Sequence, residues 1–229
     1  MEIGEYHSDK EEYQRLVDQL YREYKDGVTL PPEYASFFDN SLINVLIRLA
    51  RYKFVAKMVK KSDNILEVGC GSGVGTMFLG QHCNEVIGLD VKEHEIAEAR
   101  AINRRKNVTF ITEDLFNLQE DKKFDVIVSM DVLEHLTDEQ SDKFVAKISR
   151  LLKADGFFAC GVPSIYSLQY QSPLSRASHV NCPDRDKLES DLQNYFRRTF
   201  PFSMNDEIVH TGFEKMAWYY IVIATFPKQ

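Results

Sequence analysis

The chain opens on a helical rhythm of apolar positions and later switches to a different one. Within residues 1–60, Tyr13, Leu16, Val17, Leu20, Tyr21 and Tyr24 recur at the three-to-four-residue spacing of one helix face. Pro31-Pro32 is expected to break that helix, because an interior proline removes a backbone donor and crowds the preceding turn. Apolar spacing resumes over residues 42–59, around Arg51-Tyr52-Lys53-Phe54, with no clear strand in between. Aromatics such as Tyr6, Phe37 and Phe38 are dense here, so residues 1–60 read as a helical cap or lid.

From about residue 63 short apolar runs alternate with amphipathic stretches. Strands are expected at Asn64–Val68, Glu85–Asp90, 108–111, 124–129 and 157–162. Helices are expected from Val74, over 93–104 and over 138–152, the last presenting Phe144, Ile148 and Leu151 on one face. Repeated strand–helix units require a parallel sheet covered by helices on both faces, since each crossover is right-handed and buried. A helix over 186–196 precedes two apolar runs, 199–203 and 217–226, expected to pair as an antiparallel hairpin that closes the sheet. Residues 61–229 therefore read as one α/β domain.

At 229 residues the chain has room for that domain and its cap, not for a second full domain. No apolar run approaches the roughly 20 residues needed to cross a bilayer. The first residues are acidic and polar, unlike a secretory signal, so a cytoplasmic location is expected. Cys70, Cys83, Cys160 and Cys182 form no CxxC pair and read as reduced thiols. A formal net charge of −7 argues against nucleic acid and anionic membranes, whose phosphates favour basic faces, and in favour of a small-molecule partner.

Candidate chemistry begins at Glu67-Val68-Gly69-Cys70-Gly71-Ser72-Gly73, between a strand and a helix. Glycines let the backbone turn tightly and approach a ligand closely, and the next helix offers free N–H groups. Such a turn alone suits NAD, FAD or S-adenosylmethionine. Three acids narrow the choice. Glu67 would repel a pyrophosphate but attract an ammonium, directly or through water. Asp90 ends the second strand, placed to accept ribose hydroxyls, with Val91 beside it. Asp114 follows the third strand in Thr112-Glu113-Asp114-Leu115, placed to accept from an adenine amino group. The set fits a cationic, phosphate-free nucleoside better than a dinucleotide; singly, Asp90 and Asp114 also suit helix caps or turns.

These segments, with residues 124–136 and Leu151-Leu152-Lys153-Ala154-Asp155-Gly156, resemble the successive motifs of class I S-adenosylmethionine-dependent methyltransferases. The resemblance implies a Rossmann-like, seven-stranded, mostly parallel sheet with an antiparallel last strand, and S-adenosylmethionine as cofactor. It also implies that Gly69, Cys70, Gly71 and Gly73 line the methionine part. Asp90 and Val91 would hold the ribose, Asp114 and Leu115 the adenine, and Met130 with Asp131 would border the sulfonium.

Methyl transfer requires an aligned nucleophile and, for a hydroxyl, a means of weakening its proton. Three clusters offer that. Asp131-Val132-Leu133-Glu134-His135-Leu136 follows the fourth strand and is similar to the acid-x-x-Glu-His run of ubiquinone-biosynthesis and small-RNA 2′-O-methyltransferases. In those relatives the run contributes divalent-metal ligands; here Asp131 stands where Glu is usual, and His179 would complete the set with Glu134 and His135. Ser178-His179-Val180-Asn181 offers His179 as base or ligand instead. The segment 205–212 offers His210 as base with Glu207 as its orienting partner, provided that the sixth strand runs parallel to the first five. Within the loop 164–183, Tyr166, Tyr170 and Arg176 suit a polar, sugar-like or anionic acceptor. The sequence thus points to O-methylation of a small polar metabolite or sugar derivative, with His210 or His179 as base. Metal-assisted methylation of a catechol-like or RNA ribose hydroxyl stands beside it, as does a non-catalytic cofactor-binding partner subunit.

Overall fold

The structure, a computed structural model, describes residues 9–228. Tyr6 lies outside them. The chain divides into two compact units, Met1–Leu30 and Pro31–Gln229. The first contains α1 (Lys10–Tyr24), whose Asp9 cap accepts hydrogen bonds from the Glu11 and Glu12 N–H groups at 3.1 and 2.9 Å. None of its residues is buried, and Tyr13, Leu16, Leu20, Tyr21 and Tyr24 all face outward.

The second unit begins with α2 (Pro32–Asn40) and α3 (Ile43–Ala56). The helix α1 already ends at Tyr24, ahead of the proline pair expected to break it. Pro32 starts α2, at a position whose missing N–H would find no helical partner anyway. Then follow β1 (Asn64–Val68), α4 (Val74–Leu79), β2 (Glu85–Asp90), α5 (Glu93–Ile102) and β3 (Val108–Thr112). The second half runs β4 (Phe124–Met130), α6 (Asp138–Leu151), β5 (Leu152–Pro163), α7 (Pro173–Ser178), α8 (Arg185–Gln193), β6 (Phe196–Asn205), β7 (Ile208–His210) and β8 (Tyr219–Pro227).

The strands form one sheet in the order β3-β2-β1-β4-β5-β8-β6-β7. The first five are parallel, and β8 is antiparallel to both β5 and β6. Strand β6 therefore runs in the direction of β5, as the third histidine cluster required. The sheet has eight strands where seven were expected. The extra one is β7, which folds back on β6 through a tight turn at Asp206, a residue held at φ +49°. With three residues it is too short to leave a periodic trace. Strand β5 also starts earlier than expected: Leu152 pairs with Phe124, and after a register shift Phe157 pairs with Val126. The turn expected at 151–156 is absorbed into that irregular strand start.

Neighbouring residues of β1 point to opposite faces, so Leu66 packs with Phe144, Ile148 and Leu151 of α6 while Ile65 packs with Val55 of α3 and Leu79 of α4. Each such buried side chain contributes about 1.5–3 kcal/mol. Both faces of the parallel strands are thereby covered, which leaves their carboxyl ends as the edge where ligands reach the sheet. From β1 the chain runs outward through β2 and β3, then returns to β4 on the other side, so that edge has its crevice between β1 and β4. No helix among the described residues is long and apolar enough to cross a membrane. All four cysteines are free thiols.

Candidate functional site

The glycine turn leaves β1 and is anchored to β2. The N–H groups of Gly69 and Cys70 donate to the Leu89 carbonyl at 2.8 and 3.0 Å. The Gly71 N–H donates to one Asp90 carboxylate oxygen and the Lys92 N–H to the other, each at 2.9 Å. Asp90 therefore ties the turn to the end of its strand. Gly69 and Gly71 adopt φ +77° and +52°, conformations that side chains disfavour. Their surroundings differ. A Cβ on Gly69 would lie 2.2 Å from Val132 Cγ2, whereas one on Gly71 would meet only Glu95 Oε2 at 3.7 Å. Gly69 thus serves packing against the β4 edge, and Gly71 faces open space.

Glu67 is wholly buried. It accepts hydrogen bonds from the Tyr52 hydroxyl at 2.7 Å and the Thr76 hydroxyl at 2.5 Å. Burial pushes its pKa up to about 7 against the pull of those two donors, with the Asp90 charge adding to the rise. It supports the turn from beneath, with both oxygens engaged. Burial and the Glu67 charge push the Tyr52 phenol well above its ordinary range, so Tyr52 stays a donor. Its ring also lies against Gly75 of α4, where a Cβ would come within 2.1 Å.

The remaining residues expected around a nucleoside are distributed over the same edge. Asp114 accepts from the Phe116 N–H at 2.9 Å and caps the 3₁₀ turn Leu115–Asn117. Leu115 is buried in the core while Phe116 and Val91 are exposed. Cys70 is buried, and burial raises its thiol pKa. Met130 is buried, its sulfur facing the Tyr219 hydroxyl at 3.9 Å.

Beyond β4 lies a denser charged cluster. Asp131 sits at φ +58° and is ion-paired to Nη1 of Arg51 from α3. The Arg51 guanidinium stacks 3.7 Å from the centre of the Tyr219 ring. Burial would raise the Asp131 pKa, but Arg51 and Arg48 together hold it below the usual carboxylate range. Three residues on, Glu134 is fully buried, and neither carboxylate oxygen has a hydrogen-bond partner. Burial, reinforced by the Asp131 charge, pushes its pKa up to about 9. Buried polar atoms are almost always partnered, so two orphaned oxygens on one carboxylate stand out.

Glu134, His135 and His179 each offer a ligand atom within 4.8 Å of the others, and Asp131 is not part of that group. The segment after α7 is pinned to it. The Val180 and Asn181 N–H groups donate to the Glu134 carbonyl at 2.8 and 3.1 Å. Nδ1 of His135 lies 2.9 Å from the Ser178 carbonyl, which can only accept, so Nδ1 is the donor and Nε2 is the nitrogen left to face a ligand. Nδ1 of His179 faces the Cys182 sulfur at 3.7 Å, and the two imidazoles meet edge to face with centres 5.0 Å apart. Burial and the neighbouring His135 hold His179 below its ordinary pKa.

The third cluster is arranged differently. Nε2 of His210 lies 2.8 Å from Asn205 Oδ1, and its Nδ1 accepts from the Gly212 N–H at 2.9 Å. Both ring nitrogens are thus engaged inside the β6–β7 hairpin, and Glu207 is exposed at its turn. The residues that sequence reasoning missed are Arg51, Tyr52, Thr76 and Tyr219. A signal existed for the first two. They lie four residues before Val55 and Ala56, on the buried stripe of α3, where an arginine calls for a partner.

Residues 65–156 match the family described as a methyltransferase domain. A ubiquinone biosynthesis O-methyltransferase of Coxiella burnetii is 27% identical over 160 residues, covering 68% of this chain and 63% of that protein. The chain thus spans less than two thirds of the curated relatives it first matches. The N-methyltransferase NodS of Bradyrhizobium japonicum, solved with S-adenosyl-L-homocysteine, superposes with a TM-score of 0.59 at 18% identity, over 91% of this chain and 98% of its own. A TehB-like S-adenosylmethionine-dependent methyltransferase of Corynebacterium glutamicum gives 0.61 at 17% identity, over 86% and 100%. Residues 65–156 thus match a methyltransferase-domain family, and the fold of the chain is similar to that of these solved methyltransferases.

Proposed function

We propose that this chain is an S-adenosylmethionine-dependent O-methyltransferase whose acceptor hydroxyl is held at a divalent cation by Glu134, His135 and His179. The observation that carries this reading is the buried Glu134 carboxylate, with both oxygens unpartnered and two imidazoles within ligand distance. The His135 tautomer fits as well, since its Ser178 partner leaves Nε2 free to ligate, the usual outer support of a metal-bound histidine. The O-methyltransferase name of the Coxiella relative agrees with a hydroxyl acceptor.

The chain's own residues would divide the work along the sheet edge. Of the three glycines expected at the methionine part, Gly71 has the open face a ligand needs, while Gly69 packs against Val132 and Gly73 against Phe110 and Ala99 to set the turn. Asp90 accepts from the ribose with lone pairs not used by Gly71 and Lys92. Asp114 and Leu115 lie at the adenine end, Met130 at the sulfonium. Glu67 acts from beneath, its charge held by Tyr52 and Thr76. S-adenosylmethionine supplies an electrophilic methyl group, and alignment of the acceptor oxygen with it is the main task of the site. A divalent cation would lower the pKa of the acceptor hydroxyl and fix its orientation. His179 then acts as a ligand, and His210 stays in its hairpin. A small compound with adjacent hydroxyls, catechol-like or ribose-like, suits such a site. Within the cap expected over residues 1–60, α3 supports the same reading, because Arg51 and Tyr52 reach the carboxylates of Asp131 and Glu67.

The test has two parts. Calorimetric titration with S-adenosylhomocysteine should give saturable binding that Asp90→Ala abolishes; no binding by the unaltered chain would overturn the cofactor assignment. Radiolabelled methyl transfer to catechols and ribose diols should stop on exhaustive chelation and return with Mg²⁺ or Mn²⁺. Transfer that survives chelation would remove the cation from the mechanism.

A further inference from the structure

We propose that Arg51 is a positioning residue that keeps Asp131 out of the cation's ligand set, so that the ion is held by three protein ligands, Glu134, His135 and His179. The inference rests on the cation reading above and goes beyond it in fixing the ligand count. In the acid-x-x-Glu-His pattern that this segment resembles, the first acid is a ligand. Here that acid is committed elsewhere.

Four observations carry the point. Asp131 is bonded to Arg51 across a partly buried contact in which the two side chains are only 31% and 14% exposed. Arg51 is itself held, its guanidinium carbon lying over the Tyr219 ring 3.7 Å from its centre. Asp131 is a carbon shorter than the glutamate usual at its position, and its backbone at φ +58° is a conformation that a non-glycine residue adopts only under local constraint. Finally, the group whose ligand atoms all lie within 4.8 Å of one another contains Glu134, His135 and His179 without Asp131.

Electrostatics favours the same division. A guanidinium beside Asp131 neutralises the carboxylate and would repel a dication brought onto it. Glu134 has no such counter-charge bonded to it. Three protein ligands leave open positions on a six-coordinate ion, and an acceptor with adjacent hydroxyls needs two of them. A fourth protein ligand would fill the third open position and leave the acceptor only the two it needs.

The experiment measures Mn²⁺ affinity on the full chain by the loss of the free-ion EPR signal. The variants are Glu134→Gln, Arg51→Met and the charge-neutral pair Arg51→Met with Asp131→Asn. Thermal melting and S-adenosylhomocysteine binding check that each is folded. Removing a true ligand should weaken Mn²⁺ by well over the roughly 10–100-fold typical of an outer-shell loss, so Glu134→Gln should abolish measurable binding. The double variant should stay within about threefold of the parent, below the outer-shell range. Arg51→Met alone, which frees Asp131, should tighten Mn²⁺ by about tenfold and change the EPR spectrum of the bound ion. If the methionine variants do not fold, Arg51→Gln with Asp131→Asn serves in their place. A double variant that loses Mn²⁺ as severely as Glu134→Gln would make Asp131 a ligand and overturn the inference alone. Absence of Mn²⁺ binding in the parent, or full binding in Glu134→Gln, would overturn the cation reading and the inference with it.

Discussion

Two glycines, Gly69 and Gly71, two residues apart, illustrate how single residues divide the work at the turn. Gly69→Ala adds a Cβ 2.2 Å from Val132 at φ +77°, so we expect it to cost about 2–4 kcal/mol in denaturant unfolding. Gly71→Ala meets no wall, and its φ of +52° should cost only about 1 kcal/mol. Its larger effect should be on S-adenosylhomocysteine affinity, because the Cβ enters the open face of the turn. Equal affinity in the two proteins would show that the open face of Gly71 is not where the cofactor lies. Glu67 offers a pH test. Its native pKa of about 7 stands above the ordinary 4.5, so the folded state binds the proton more tightly than the unfolded one. The stability this confers is complete below pH 4.5 and is lost as pH rises towards about 7. The difference amounts to about 3 kcal/mol. Urea unfolding at pH 5 and pH 8 should reveal it as an extra loss in the parent protein that Glu67→Gln lacks.

At the scale of elements, α3 is the least expected contributor. Consecutive residues of this one helix reach two different carboxylates, Arg51 to Asp131 and Tyr52 to Glu67. Tyr52→Phe leaves a buried carboxylate short of one donor and should cost about 1.5–3 kcal/mol, the usual worth of a hydrogen bond to a charged group. The β6–β7 hairpin holds the other test. His210→Ala removes both contacts of the ring and should cost about 1 kcal/mol of stability. Methyl transfer should persist in it. A folded His210→Ala protein without transfer would restore that histidine as the base. The extra strand β7 and the short helix α2 escaped the periodicity for the same reason: neither is long enough to show a repeat, and both are set by turns and packing.

Across the whole molecule, cofactor and cation sites should behave as separate ligands of one folded unit. S-adenosylhomocysteine at a hundred times its Kd should add about 2.7 kcal/mol to stability, by mass action on the native state. Chelation should leave that increment intact, and Asp90→Ala should remove it; a thermal melt in each condition decides the matter. An increment lost on chelation would mean that cofactor binding itself needs the cation. The parallel order β3-β2-β1-β4-β5 places the glycine turn, Asp90, Asp114 and the Asp131–His135 segment on one edge, although they lie far apart in sequence.

By itself the sequence determined the α/β class, the five parallel strands, the glycine turn and the acids at three successive strand ends. These are local properties: apolar period, turn chemistry, and a residue's distance from the end of its own strand. It also singled out Asp131, Glu134, His135 and His179 as candidate ligands. Only the tertiary structure decided which candidates meet. It gathers Glu134, His135 and His179 because Val180 and Asn181 donate to the Glu134 carbonyl and the His135 ring bonds the Ser178 carbonyl, contacts across more than forty residues with no periodic trace. It pairs Asp131 with Arg51 because α3 packs on the sheet face beneath that edge, which burial and shape determine and local pattern does not. And it engages the His210 ring within its own hairpin, because an eighth strand too short to announce itself closes around it.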